Sequence, residues 1–441
     1  MFFTLRWRIA GLLFLAGVLN YLDRMAISMA SPAIKEELHV DAAQMGYVFS
    51  SFFLGYALLN LIGGMAADRF GPSRVLSIAL LAWSAFCGLT AVASGFFSLL
   101  LTRTLFGAAE GPFGATSAKM LNQWFPRREL LSSLAFVASG TPLGAVVAGP
   151  LFGMLLPWWG WRGSLMAVAC LGVGFAMAWS LFARALASRP GALAAEVEAS
   201  SALTPATATN AAPDSREEAG ATAHPMLFYV RSPVVIANAV AYFAYTYLLS
   251  AYLSWLPTFF VSRHHLDLRS AALGSAAPWI LGFAGVWGGA LLADRIFRST
   301  GRLLYSRTIV QAGGLLSAAF GTALVGEVPS AFGAVGVASV ALFALYLSGT
   351  TFWAVVQDVV PSRLVGRLSG FTHLVANLGG ILSPALTGAI VQRTDSFRLA
   401  WLVAAGVSSI AALAVLAASR SRQAIAASRR EDVGALSQAM P

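Results

Sequence analysis

The sequence predicts an all-α membrane protein of twelve transmembrane helices in two pseudo-symmetric six-helix bundles. Three observations carry that expectation. The 441 residues are 58% hydrophobic and only 11% charged, whereas a soluble globular chain is nearer ~25% charged. Apolar runs of about 20 residues recur from end to end, each long enough to cross ~30 Å of hydrocarbon as a helix. The second half also repeats motifs of the first. Length alone would suggest about three soluble domains, but the hydropathy overrides that.

The runs fall at 9–30, 43–67, 75–94, 97–119, 131–156, 163–184, 233–259, 271–293, 304–325, 331–356, 368–391 and 399–418. The first is too long for a cleaved signal and lacks a small-residue cleavage site, so it reads as the first span. An even number of spans puts both termini on one side. If that side is cytoplasmic, twenty of the 29 Lys and Arg residues lie there, six lie opposite, and Arg24, Arg103 and Lys119 fall inside spans. That is the positive-inside bias. The net charge of +10 therefore sets topology, and no nucleic-acid partner is expected. Cys87 and Cys170 lie in apolar runs and imply no disulfide framework. No Asn-x-Ser/Thr sequon occurs, which favours a bacterial plasma membrane.

Taken in order, the first bundle is expected over 1–185. Span one contains NYLDR, residues 20–24, and the loop after span two reads GGMAADRFGPSR. Span four contains RTLFGAAEGP, followed by NQWFPRRE. Residues 186–230 are rich in Ala, Ser, Thr and Pro and poor in aromatics, so they read as a cytoplasmic linker. The second bundle is expected over 231–419, with a cytoplasmic tail at 420–441. Its loop after span eight, GGALLADRIFRSTGR, echoes the loop after span two. VPSRLVGRLSGFTHLVANLGGILSP likewise aligns with FPRRELLSSLAFVASGTPLGAVVAGP. A duplication of this size points to a transporter with its site between the halves, near the bilayer midplane.

Charges inside spans identify that site. A charge at mid-membrane costs at least a few kcal/mol and normally faces the bundle interior. Arg24 is a permanent cation whose planar fork suits a carboxylate. Asp23 beside it can be charged or, once protonated, neutral. Arg103 and Glu110 are two helical turns apart on nearly one face, ~10.5 Å along the axis. The four groups read as a switchable network. An anion added at Arg24 leaves excess negative charge, and a proton on Asp23 or Glu110 restores balance. Substrate and proton then favour each other's binding.

Gly64, Asp68, Arg69, Gly71 and Arg74, with the echo at Asp294 and Arg295, resemble the loop motif of the major facilitator superfamily. NYLDR, RTLFGAAEGP and NQWFPRRE resemble its anion:cation symporter family, closest in look to bacterial proton-coupled hexuronate, galactonate and glucarate carriers. The resemblance covers essentially the whole chain. It implies the major facilitator fold, with Arg24 holding the substrate carboxylate and Asp23 and Glu110 as protonation sites. It also implies substrate contact at Tyr56. We add Tyr21 from the same motif, and Trp353, His373 and Asn377 from the second half. Relatives of this type would carry Asn near position 373, a departure that bears on substrate identity. Tyr242 and Tyr245 on span seven could donate phenols to a sugar acid or stack on an aromatic one. Packing is the plain alternative for each aromatic. Ser348, Thr350 and Thr351 could bind hydroxyls or only their own helix backbone. The loop-motif charges are expected at helix ends, latching one conformation.

The expected protein is a monomeric, proton-coupled importer of a small organic anion in a bacterial inner membrane, probed first with sugar acids. It is expected to be no enzyme and to need no cofactor or metal. Carriers of aromatic or dicarboxylic acids share the motifs and are the nearest alternative. A non-transporting sensor has less support, since no signalling domain is visible.

Overall fold

Fourteen helices make up the regular structure of the described residues, 5–187, 226–360 and 362–438 of the computed structural model. They are α1 Leu5–Leu38, α2 Ala42–Phe70, α3 Pro72–Thr90, α4 Phe96–Glu110, α5 Phe113–Trp124, α6 Arg127–Ala187 and α7 Met226–Val230. Then come α8 Pro233–His264, α9 Leu268–Thr300, α10 Leu303–Val325, α11 Ala331–Gly349, α12 Thr351–Val359, α13 Ser362–Thr394 and α14 Arg398–Gln438. The expected linker, 186–230, lies outside the described residues over 188–225, and its last five residues form α7. Helical backbone continues past the expected end of span twelve to Gln438.

Ten helical segments among the described residues are long and apolar enough to cross a membrane. One of them, Ser132–Ala185, has 54 residues. It breaks at Gly160, whose φ of 60° only glycine adopts readily, and so supplies spans five and six. Span four is divided by Gly111 and Pro112 into α4 and α5, of 15 and 12 residues, each too short to be counted alone. The twelve-span expectation therefore holds. Phe97, Phe320, Phe332 and Ile410 stand outward at 69–90% exposure. A soluble surface rarely presents such side chains together, but hydrocarbon accepts them.

The two bundles repeat the same helix pairs. A Cβ on Gly107 of α4 would come within 2.0 Å of the Phe52 carbonyl oxygen on α2. Its counterpart is Gly289 of α9, 2.3 Å from the Leu347 carbonyl on α11. Span five approaches span one at Gly144 and Val18, as span eleven approaches span seven at Gly379 and Phe243. Small residues allow this contact where lipid offers no hydrophobic drive between helices.

Between the bundles, α2 meets α13 and α6 meets α9. Ala42 and Gly388, and Gly149 and Ala272, are in backbone contact. The Ser28 hydroxyl donates to the Leu253 carbonyl, Ser31 and Thr258 hydroxyls lie 2.8 Å apart, and Ser50 donates to the Ile381 carbonyl at 2.6 Å. The Ala42 amide donates to Gln392 Oε1 at 3.0 Å. All of these contacts lie toward the end bearing the 39–41, 265–267 and 395–397 turns, so the bundles are closed together on that side.

Candidate functional site

Arg24 on α1 is the centre of the charged site. Its Nε donates to Glu110 Oε1 at 2.5 Å, with the Glu110 side chain fully buried. Glu110 closes α4 just before Gly111 and Pro112. At Gly111 a Cβ would press within 2.8 Å of the Tyr56 carbonyl, so α2 and α4 are nearly touching there. Three aromatic rings, Phe52 and Tyr56 from α2 and Tyr21 from α1 itself, surround the guanidinium. Its carbon lies 4.7 Å from the Phe52 centroid, 4.9 Å from Tyr56 and 5.1 Å from Tyr21. Cation–π contact of this kind holds a buried guanidinium without consuming its N–H donors.

Asp23 and Arg24 are neighbours in sequence but do not pair. Successive residues point about 100° apart around a helix. Asp23 faces Trp83, Cys87 and Arg103 instead. It is 1% exposed, and neither carboxyl oxygen has a hydrogen-bond partner among the described residues. Arg103 is equally deep, its guanidinium carbon 4.4 Å from the Phe106 ring and 5.3 Å from Phe52. Phe52 thus stands between two guanidinium groups. The four charges expected together are together, as an Arg24–Glu110 ion pair beside an Asp23–Arg103 neighbourhood.

The second bundle contributes an aromatic wall. Tyr242 Oη is 3.2 Å from His373 Nδ1, and the Tyr242 ring stacks on Phe352 at 4.6 Å and 13°. Trp353 meets the same Tyr242 edge-on at 6.3 Å, and Tyr245 packs against Phe352 at 5.3 Å. Four expected hydroxyl binders bond their own helix backbone. Asn377 donates to its own helix at the His373 carbonyl, 2.9 Å away. Ser348, Thr350 and Thr351 bond the backbone three residues earlier.

In this conformation two of the loop-motif acids pair within their own bundles. Asp68 pairs with Lys119 on α5, and Asp294 lies 3.8 Å from Arg307 on α10. Arg69 sits over Phe70, while Arg74 and Arg295 are exposed and form no ion pair among the described residues.

Several site residues escaped the sequence reading. Asn20, in the same motif as Arg24, is 2% exposed and borders Glu110. Phe52 precedes Tyr56 by one helical turn, a spacing that could have flagged it. Trp279 and Tyr346 bridge the bundles through Tyr21, with the Tyr21–Trp279 centroids 6.4 Å apart and Trp279–Tyr346 6.3 Å. Asn238 donates to the Phe352 carbonyl at 3.2 Å and accepts from Gln311 at 2.8 Å, tying α10 and α8 to the start of α12. Nothing in the local sequence marks these last four.

Two repeated membrane bundles around a buried charged centre define a membrane carrier. The chain belongs to the Major Facilitator Superfamily, which it matches over residues 13–384. It is 40% identical to the hexuronate transporter of Bacillus subtilis (strain 168) over 406 residues, 92% of each chain. It is 29% identical to the "Probable L-galactonate transporter" of Escherichia coli (strain K12), over 92% of this chain and 87% of the relative. Among solved structures it resembles a bacterial homologue of the human lysosomal transporter Spinster, in an inward-facing and occupied conformation. That likeness has a TM-score of 0.73 at 18% identity, over 94% of this chain and 97% of the other, and speaks to fold alone. The protein is a multi-pass membrane carrier rather than an enzyme.

Proposed function

We propose that this carrier imports a small sugar acid together with a proton, as a monomer in the bacterial inner membrane with both termini cytoplasmic. The observation that carries the reading is the buried Arg24–Glu110 pair. A carboxylate substrate and Glu110 are rivals for one guanidinium. When a proton neutralises Glu110, Arg24 is left with an unopposed charge in a desolvated site, and a substrate carboxylate is the natural replacement. When the proton leaves, Glu110 recovers Arg24 and expels the anion. Asp23, against Arg103, is a second acid able to balance the site.

The substrate class is supported by the names of the relatives and by the aromatic wall opposite Arg24. Tyr242, Tyr245, Phe352 and Trp353 offer flat apolar faces for the C–H face of a sugar, with Tyr242 and His373 as polar contacts. The same wall would also stack an aromatic acid, so aromatic acids belong in the test. In this reading the closed side is periplasmic, and the site opens toward the cytoplasm. Alternating access then requires the Ser28, Ser31 and Ser50 contacts to part.

The test is uptake into proteoliposomes under an inward proton gradient, with glucuronate, galactonate, glucarate and phthalate. Accumulation of a sugar acid that needs the gradient and is lost in Arg24→Ala supports the reading. Accumulation of phthalate alone redirects it to aromatic acids. Uptake indifferent to Arg24 overturns it.

A further inference from the structure

Tyr346 lies on α11, six and seven residues before Phe352 and Trp353 of α12, and none of the motifs includes it. Its side chain is 5% exposed, and its hydroxyl, set against the Tyr21 phenol of the other bundle, makes no well-formed hydrogen bond among the described residues. A buried hydroxyl without a well-formed bond costs free energy that an ordinary packing position would not retain. The ring is held tightly. Gly282 and Gly285 of α9 leave the space it occupies, since a Cβ on Gly282 would meet the ring at 3.0 Å and one on Gly285 would meet Tyr346 Cβ at 3.0 Å. Trp279 and Tyr245 contact the ring edges at 6.3 and 6.2 Å between centroids. Held this way, the hydroxyl faces the Tyr21 side chain of the other bundle, whose ring lies 5.1 Å from the Arg24 guanidinium.

We propose that Tyr346 is a specificity-determining residue of the second bundle. It hydrogen-bonds a hydroxyl of the acid whose carboxylate sits on Arg24, and so selects hydroxylated acids over plain ones. The inference rests on the sugar-acid reading above. It assigns the cross-bundle contact to a residue cradled by glycines, rather than to Asn377 or the Ser348–Thr351 hydroxyls, which bond their own helices. A phenol has only two χ angles to immobilise, so it can present a donor at low entropic cost.

The test compares wild type with Tyr346→Phe in proteoliposomes. Labelled glucuronate and galactonate are the substrates, and cyclohexanecarboxylate, a ring acid without hydroxyls, is the competitor. Tyr346→Phe keeps the ring and its packing. Its KM for the transported sugar acid is expected to rise about tenfold, the size of one hydrogen bond. The maximal rate should stay within about twofold, and inhibition by cyclohexanecarboxylate should not change. Gly282→Ala, which displaces the ring while keeping the hydroxyl, should raise the same KM. An unchanged KM in Tyr346→Phe overturns the proposal. An equal loss for cyclohexanecarboxylate also overturns it, by making the role one of packing. If wild-type uptake of both sugar acids is indifferent to Arg24→Ala, the sugar-acid reading fails first, and this inference falls with it.

Discussion

Arg24 Nε and Glu110 Oε1 are 2.5 Å apart although the residues are separated by 86 positions in the chain. The bond joins span one to the broken middle of span four. It sits where an incoming carboxylate must compete with a resident one. Glu110→Gln removes the titrating group and keeps the shape. Uptake driven by an acid exterior should be lost, while exchange of labelled for unlabelled substrate persists. The pH dependence follows in sign. Wild-type uptake rises as the outside pH falls, because protonation frees Arg24, and the variant's exchange should be nearly flat with pH. A Gln variant that still concentrates substrate with the proton gradient would remove Glu110 from the coupling.

The closed end can be locked. Ser31 and Thr258 hydroxyl oxygens are 2.8 Å apart across the bundle interface. In the double variant Ser31→Cys/Thr258→Cys, oxidation should form a disulfide that abolishes uptake, and reductant should restore it. Each single variant should transport normally under both conditions. Unimpaired uptake in a double variant shown to be cross-linked would mean that this interface does not open during transport.

Close helix approach makes Gly107 intolerant of a side chain. The added Cβ of Gly107→Ala would sit 2.0 Å from the Phe52 carbonyl oxygen, a backbone atom that cannot swing aside. The cost is expected to be on the order of 3 kcal/mol or more, by overpacking. Gly313→Ala is the control, because nothing lies within 4 Å of its Cβ position. It should be neutral or slightly stabilising through helix propensity. Thermal unfolding in detergent separates the two.

His373 is the departure expected to bear on substrate choice. Its Nδ1 lies 3.2 Å from Tyr242 Oη, beside Trp353 at 5.9 Å between rings. Replacing it by Asn keeps a polar partner for Tyr242 but shortens the side chain and removes the aromatic face. The preference among glucuronate, galactonate and glucarate should shift by about tenfold, with the Arg24 requirement unchanged. Unaltered competition constants for all three would reduce His373 to packing.

Much of the architecture was legible in the sequence because membrane insertion imposes strong local rules. Span length, loop charge and internal repetition are each visible in a window of the chain. They led to twelve crossings even where Gly160 bends one helix into two and Gly111-Pro112 splits another. Buried charge was equally legible, since Arg24, Arg103 and Glu110 stand out against apolar surroundings. Pairing was not legible. Asp23, Arg24, Arg103 and Glu110 read as one network, but which acid meets which guanidinium depends on helix geometry, which turns adjacent Asp23 and Arg24 toward different neighbours. The partners of Asp68 and Asp294, Lys119 and Arg307, lie 51 and 13 residues further along the chain, and no local pattern names them.

Composition, hydropathy and repetition by themselves determined a helical membrane protein of two related halves, with ionisable groups at its centre. They could do so because hydrocarbon tolerates neither open backbone nor unpaired charge. Only the tertiary structure decided which acid meets Arg24, which aromatic rings enclose it, and which side of the bundle interface is closed. The first two depend on how nearly two helices can approach at Gly55, Gly107 and Gly111, and the third on the approach at Gly149 and Gly388 between the bundles. That approach is a property of two surfaces fitted together, and no single stretch of chain contains it.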